Sequence, residues 1–374
     1  MPRVSVVIPI FNGIAHLSAF VESLGGALLP GWEVIAVDDA STEPVLHAFS
    51  ALSDSTTVVR LRNEQNLGYA GAVNRGVAEA TGDIIVQLNT DLVLDSGCIT
   101  AMVDLIDGTK NVGIVGSKLI YPTTGRTQSV GMAFGNYSKR HIYRHLPSDH
   151  PVCQRTRRLQ IVSGATVATT RRVFDLLGPL DEDLYNHNVD LDHCMRAVEQ
   201  GLQNFMCAES VAYHWRNQSG DIRYARAASV EAAFWSKWVG KYEVDLGQYI
   251  DEAFDALLGA KPELHATPFT LLDLTRSADQ SIALDRLEAL WPGISKGARS
   301  HRQMHNAASH LWLPMLLPAR VAADPNPFIY LVDSFQDLSE NAMWFRRRRG
   351  LVVEELIVDL SANVQCASEL FCSV

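Results

Sequence analysis

Short apolar runs that stop abruptly at polar residues set the rhythm of the first third of this chain. Residues 4–8 run into Pro9-Ile10-Phe11-Asn12, and residues 34–37 into Asp38-Asp39-Ala40-Ser41. Residues 58–61 give way to Arg62-Asn63-Glu64, and Ile84-Ile85-Val86 leads to Leu88-Asn89-Thr90-Asp91. Helical patterns separate these β-branched runs, the signature of βαβ units and a parallel sheet. Ligands of such sheets bind in the crevice beyond the carboxyl ends of the strands. The polar groups that follow each run therefore converge on one edge.

The intervening helices follow from spacing. Ile14, Leu17, Phe20, Val21 and Leu24 recur at helical intervals, with Gly25-Gly26 as the expected stop. Pro44 suits the first position of a second helix, capped by Ser41 or Thr42. A third helix is predicted over 69–80 and a fourth over 97–106. The first ~110 residues thus read as four parallel strands with crossovers.

From Val112 onward the pattern changes. Strand-like pieces at 113–120, 127–134 and 161–169 bracket a basic, His-rich segment at 139–158, expected as a loop or hairpin over the site. A helix at 171–177, the turn Gly178-Pro179, a helix over 190–200 and a strand at 205–208 follow, then His214-Trp215-Arg216. Trp235, Trp238 and Tyr242 suggest a helix packing onto the first domain. Residues 260–266 read as a linker, and the tail mixes helical pieces with a strand-like run at 351–360. These divisions predict a first domain at 1–245 and a C-terminal accessory region at 246–374, α-rich or α+β.

The net charge of −10 argues against non-specific binding of nucleic acid over the whole surface. Six cysteines, at 98, 153, 194, 207, 366 and 372, form no C-x-x-C pair and read as free thiols of a reducing cytoplasm. The N-terminus reads as going straight into a strand, so no signal peptide is expected. The apolar stretch 311–323 contains Pro314, Pro318 and Arg320 and falls short of the ~20 residues a spanning helix needs.

Each polar cluster has a chemical and a structural reading. Asp38-Asp39 can accept hydrogen bonds from a base or ribose, or cap a helix. Asp91 can ligate a hard divalent cation, which needs few protein ligands when phosphates share it, or simply serve a turn. Asp190 and Asp192 open a helix, where acidic residues suit the dipole; alternatively one faces the crevice as a general base. His214 can be a second metal ligand or a structural histidine. Gly68, Gly71 and Gly76 do not form G-x-G-x-x-G and do not follow the first strand, which argues against a hydride-transfer enzyme. They let a helix approach the sheet closely while Asn66 caps its start. No glycine-rich basic loop follows the first strand, as a nucleotidyltransferase would require. Trp344-Phe345-Arg346-Arg347-Arg348-Arg349 reads as a solvated basic edge, or as a peripheral contact with an anionic bilayer at about 1 kcal/mol per charge.

In this order the motifs resemble the inverting nucleotide-sugar glycosyltransferases of family two, which have the GT-A fold, and among them the rhamnosyltransferase-like members. The likeness rests on residues 4–12, 37–42, 66–74 and 88–91, then Ser163-Gly164-Ala165, 171–174, 177–182 and 190–196. It covers about residues 3–220. It implies a Rossmann-like mixed, mainly parallel sheet flanked by helices. By the resemblance Pro9, Phe11, Asn12, Asp38, Asp39, Asn66, Gly68, Asn74 and Asn89 line the nucleotide-sugar site. Asp91 and His214 would hold Mn²⁺ or Mg²⁺, and Asp190 would be the catalytic base, with Asp192 as fallback. The implied donor is a UDP- or dTDP-sugar, and the acceptor a glycan or lipid-linked hydroxyl in surface polysaccharide synthesis. A cytoplasmic enzyme at the inner face of the membrane, with a homo-oligomer formed through the C-terminal region, fits this picture. Val189 stands where the family usually has Glu before the base. That departure keeps open an inactive nucleotide-sugar-binding or assembly subunit.

Overall fold

The computed structural model describes residues 3–52, 56–135, 138–144, 147–215, 227–246, 248, 249, 252, 285 and 288, together with five strands in the C-terminal third. The chain separates into two compact units, one of residues 1–133 and 146–243, the other of residues 134–145 and 244–374.

In the first unit the anticipated rhythm appears as β1 (Val4–Ile10), α1 (Ile14–Ala27), β2 (Glu33–Asp38), β3 (Thr57–Arg62), α2 (Gly68–Glu79) and β4 (Ile84–Leu88). Then come β5 (Leu92–Leu94), α3 (Cys98–Gly108), β6 (Val112–Ile120), β7 (Thr127–Ser129) and β8 (Met132–Gly135), whose last two residues are assigned to the second unit together with β9 (Ser138–His141). The first unit ends with β10 (Arg157–Leu159), β11 (Thr166–Thr170), α4 (Arg171–Leu177), α5 (Val189–Glu199), β12 (Gln203–His214) and α6 (Ala227–Trp238). The main sheet has the order β10-β12-β6-β11-β4-β1-β2-β3, with β5 on β12 and β7 on β6. The β1–β4 strands are parallel, β11 inserts antiparallel, and β12 runs parallel to β6. This is the expected mixed, mainly parallel sheet flanked by helices.

Buried strands β1, β2, β4 and β6 carry apolar residues on both faces, as sheets covered by helices must. Leu17, Phe20, Val21 and Leu24 bury one side of α1 against them, while Ile14 is exposed. The helix runs through Gly25-Gly26 to Ala27, where Leu28 closes it by donating to Leu24 O. Gly76 lets α2 lie on the sheet, since a Cβ there would come within 2.5 Å of Val7.

Three expected elements differ. The helix predicted after Pro44 is only a 3₁₀ segment, Val45–Ala51, with no side-chain cap. Both candidate caps are spent elsewhere: Ser41 Oγ accepts from Asn12 N–H, and Thr42 donates to Asn12 Oδ1. The piece at 127–134 splits into β7 and β8 at Gly131, whose φ is 100°. β12 is longer than the apolar run at 205–208 and ends on His214, because pairing with β5 and β6 carries it onward.

The second unit contains β13 (Phe269–Asp273), β14 (Ala298–Gln303), β15 (Phe328–Val332), β16 (Leu356–Asp359) and β17 (Val364–Cys366). They form a sheet of order β14-β13-β15-β16-β17, parallel except for β17. Only β16 falls inside a strand-like run read from the sequence. The linker at 260–266 and the basic cluster at 344–349 lie outside the described residues. Cys98, Cys153, Cys194 and Cys207 are buried free thiols. Among the described residues no helix is long and apolar enough to cross a membrane.

Candidate active site

The carboxyl ends of β1, β2, β3 and β4 lie on one edge of the main sheet. β11 is antiparallel to β4, so the segment before it, Ser163-Gly164-Ala165, starts at that same edge, where Asn89 N–H donates to Ala165 O at 2.9 Å. β6 and β12 run the same way as β4, which brings the end of β12 there too.

At the β2 end the acidic pair is turned inward. Asp38 accepts from Ser41 N–H at 2.8 Å and pairs with Arg62. Asp39, 3% exposed, accepts from Asn63 Nδ2 at 2.7 Å and from the N–H groups of Leu67 and Gly68 at 2.9 Å each. Asp39 therefore caps α2 across the crevice rather than the segment that follows it. Gly68 adopts φ 76° there, and a Cβ would come within 2.4 Å of the Tyr185 ring. Asn66 braces the same turn: its Oδ1 accepts from Gly68 N–H and Tyr185 Oη, and its Nδ2 donates to Asp39 O. Asn12, at φ 55°, ties the β1 loop to the β2 loop. Pro9 sits half-buried opposite Val37, and Phe11 is exposed at the strand tip. Asn74 faces a different task. Its amide binds Leu180 N–H and O and Glu182, clamping the loop after α4 rather than lining the crevice.

The β4 end is arranged differently. β5 pairs antiparallel with the end of β12, with His214 opposite Leu92, and Trp215 N–H donates to Asp91 O at 3.0 Å. That pairing sets His214 Nε2 3.1 Å from Asp91 Oδ1. On its other side His214 meets Gln128, which donates to His214 O at 3.0 Å and lies 2.6 Å from Nδ1. Two ligands with bonds of about 2.1 Å to one cation stand about 3 Å apart when adjacent, so this carboxylate and imidazole fit a shared divalent ion. Among the described residues no third His, Cys, Asp or Glu joins them. The donor set suits an ion that keeps positions for substrate phosphates and water.

Asp190 occupies the first turn of α5. Gly164 N–H donates to its Oδ2 at 2.6 Å, and a Cβ on residue 164 would come within 2.4 Å of Asp190 Cβ. Tyr69 Oη donates to Gly164 O at 3.3 Å, and burial, reinforced by the Asp190 charge, raises its pKa. Asp192 is no fallback base. It is 0% exposed and bound by Arg196 at 3.0 Å, Lys237 at 2.7 Å and Trp238 Nε1 at 2.9 Å. Val189 packs into the interior. His193 beside it is buried edge-on to Phe174, and burial, with Arg196 nearby, pushes its pKa down to about 3.

Gln128, Gly164, Tyr69 and Tyr185 were not singled out from the sequence as site residues. The one signal for Gln128 was three polar residues, Thr127-Gln128-Ser129, within a strand-like run; all three are buried.

Residues 5–178 match the family described as glycosyl transferase family 2. The match takes in β1 to α4, a little under half of the chain. Among curated relatives, an uncharacterized protein y4gI of Sinorhizobium fredii is 32% identical over 228 residues, 58% of this chain and 25% of its own length. The O-antigen biosynthesis protein RfbC of Myxococcus xanthus is 28% identical over 244 residues, 63% of this chain and 18% of its own. The chain thus spans a quarter or less of these relatives. Among solved structures, a mannosyltransferase of Pyrobaculum calidifontis in complex with GDP-Man and Mn²⁺ is similar at 18% identity and TM-score 0.48, over 71% of this chain and 70% of that one.

Proposed function

We propose that this chain transfers a sugar, with inversion, from a nucleotide-diphosphate donor to a hydroxyl of a glycan or lipid-linked acceptor. The observation that carries the reading is the Asp91–His214 pair at the edge where Gly164 also holds Asp190. Asp91 and His214 are the residues that would hold Mn²⁺ or Mg²⁺. Such an ion supplies Lewis-acid stabilisation of negative charge on the departing diphosphate.

The chain's own residues do the rest. Phe11, Asn12 and the α2 turn organised by Asp39 frame the pocket for the nucleoside. Gly164 N–H aims the half-buried Asp190 carboxylate, the group that would take the proton of the acceptor hydroxyl. The acceptor oxygen attacks the anomeric carbon from the face opposite the diphosphate as the bond to the leaving oxygen breaks. The transition state is oxocarbenium-like, as in glycoside hydrolysis.

A thermal-shift panel of nucleoside diphosphates and their sugars, with and without Mn²⁺, tests the donor half. A metal-dependent rise in Tm for one nucleotide, absent in Asp91→Ala, is expected; no shift with any member sinks the reading. Val189 is the feature that favours an inactive binding subunit instead. Turnover on a panel of acceptors separates the two, since a binding subunit would show the Tm shift without product.

A further inference from the structure

Gln128 is a buried amide in a three-residue strand, 3% exposed, and nothing in the transfer chemistry above uses it. Both ends of its side chain are spent on one residue. Its Nε2 lies 3.0 Å from His214 O, and its Oε1 lies 2.6 Å from His214 Nδ1. A backbone carbonyl only accepts, so the NH₂ end must face His214 O. The amide oxygen is then fixed toward Nδ1, and oxygen facing that nitrogen requires Nδ1 to carry the proton. A flipped amide would set two oxygens against each other at His214 O while leaving Nδ1 to accept.

We propose that Gln128 is a positioning residue that locks His214 in the Nδ1–H tautomer and turns the Nε2 lone pair toward the cation shared with Asp91. The inference rests on the metal-dependent reading above for its second half only. The geometry supports the lock independently. The backbone of His214 is also pinned by β5, so the bond to Nδ1 is the part of the clamp that sets the ring. Gln128 also belongs to β7, which pairs with β6 rather than with β12. The ring is thus held between Gln128 at Nδ1 and Asp91 at Nε2. Partners of this kind behind a metal-bound imidazole typically change metal affinity about 10- to 100-fold.

The test uses the full chain labelled with ¹⁵N-histidine, with the His214 resonances assigned by comparison with His214→Gln. At a pH of about 8.5, above the ordinary imidazole range, the wild type is expected to show Nδ1–H and an unprotonated Nε2. A wild-type Nε2–H signature overturns the proposal without any variant. In Gln128→Leu the tautomers are expected to mix, and Mn²⁺ affinity read from the free-ion electron-spin-resonance signal is expected to fall about 10- to 100-fold. Gln128→Glu keeps an acceptor facing Nδ1 but gives up the donor to His214 O, so it should retain the Nδ1–H signature that Gln128→Leu loses. Unchanged tautomer and unchanged Mn²⁺ affinity in Gln128→Leu overturn the role of Gln128. If wild type binds no Mn²⁺ while the tautomer difference persists, the cation reading fails and the lock stands.

Discussion

The two ends of the crevice edge carry the same sequence signature, an acidic residue just past an apolar strand, and put it to opposite uses. At the β2 end Asp38 and Asp39 are buried and already bound by their own chain, to Arg62, Ser41, Asn63, Leu67 and Gly68. At the β4 end Asp91 faces an imidazole 3.1 Å away and keeps some exposure, and Asp190 is held by a backbone N–H. A carboxylate buried among internal donors shapes a pocket; a carboxylate that reaches a crevice only half-buried can do chemistry. The two kinds should answer to different measurements, stability for the first and turnover for the second.

The sharpest break comes from Asp190→Asn. The amide keeps an oxygen for Gly164 N–H, so unfolding free energy should stay within about 1 kcal/mol of wild type. A positioned general base contributes about 10²–10⁴-fold, and transfer should fall by that factor with donor affinity held. Steady-state rates alongside donor calorimetry decide it, and an unimpaired variant would return Asp190 to the structural class.

Asp39→Ala inverts the expectation. It strands the Asn63 amide and two N–H groups at the start of α2, and each unsatisfied buried donor costs about 1–3 kcal/mol. Chemical denaturation should show a loss of about 3 kcal/mol or more. A loss below about 1 kcal/mol would mean that Asp39 is not a structural organiser, and the contrast between the ends would dissolve.

Gly164→Ala probes the poised end by shape alone. The added methyl comes within 2.4 Å of Asp190 Cβ, so the base must shift. Misplacement on the ångström scale can cost on the order of 10²-fold in rate. Turnover should drop while Mn²⁺-dependent donor binding persists. Equal losses of binding and rate would indicate that the segment before β11 serves the donor and not the acceptor.

Much of this architecture was legible because it is local. Strands β1, β2 and β4 are largely apolar runs, and α1 through α5 carry spacing that folding against a sheet requires. What failed was decided at a distance. Ser41 and Thr42 look like caps in sequence, yet Asn12, thirty residues upstream, claims both. The reach of β12 to His214 comes from pairing with β5 and β6, which no local pattern announces. The second sheet joins strands separated by long segments, and only the run around Leu356–Asp359 was visible as a strand. For the site, residue type and order pointed to Asp91, His214 and Asp190, whereas the division between saturated and poised carboxylates depends on donors such as Leu67 N–H that carry no signature. Asp192 and Asn74 show the same limit, since each has the right chemistry for a site and is consumed by packing partners.

The smallest effect sharpens the comparison within α5 itself, where Asp190 and His193 sit less than one turn apart. His193 belongs with the saturated groups: it is buried against Phe174, and its pKa is pushed down to about 3. An unfolded chain takes up a proton on this imidazole near pH 6.5, whereas the folded chain resists until far lower. The unfolded state thus binds more protons below pH 6.5, and stability falls as pH drops through that window toward 3. The full slope for one group is about 1.4 kcal/mol per pH unit. Urea denaturation between pH 7 and 5 should show it, and His193→Phe, which keeps an aromatic ring beside Phe174, should remove that part of the slope. An identical acid slope in the variant would assign the sensitivity to other groups and leave His193 outside the class that Asp39 defines.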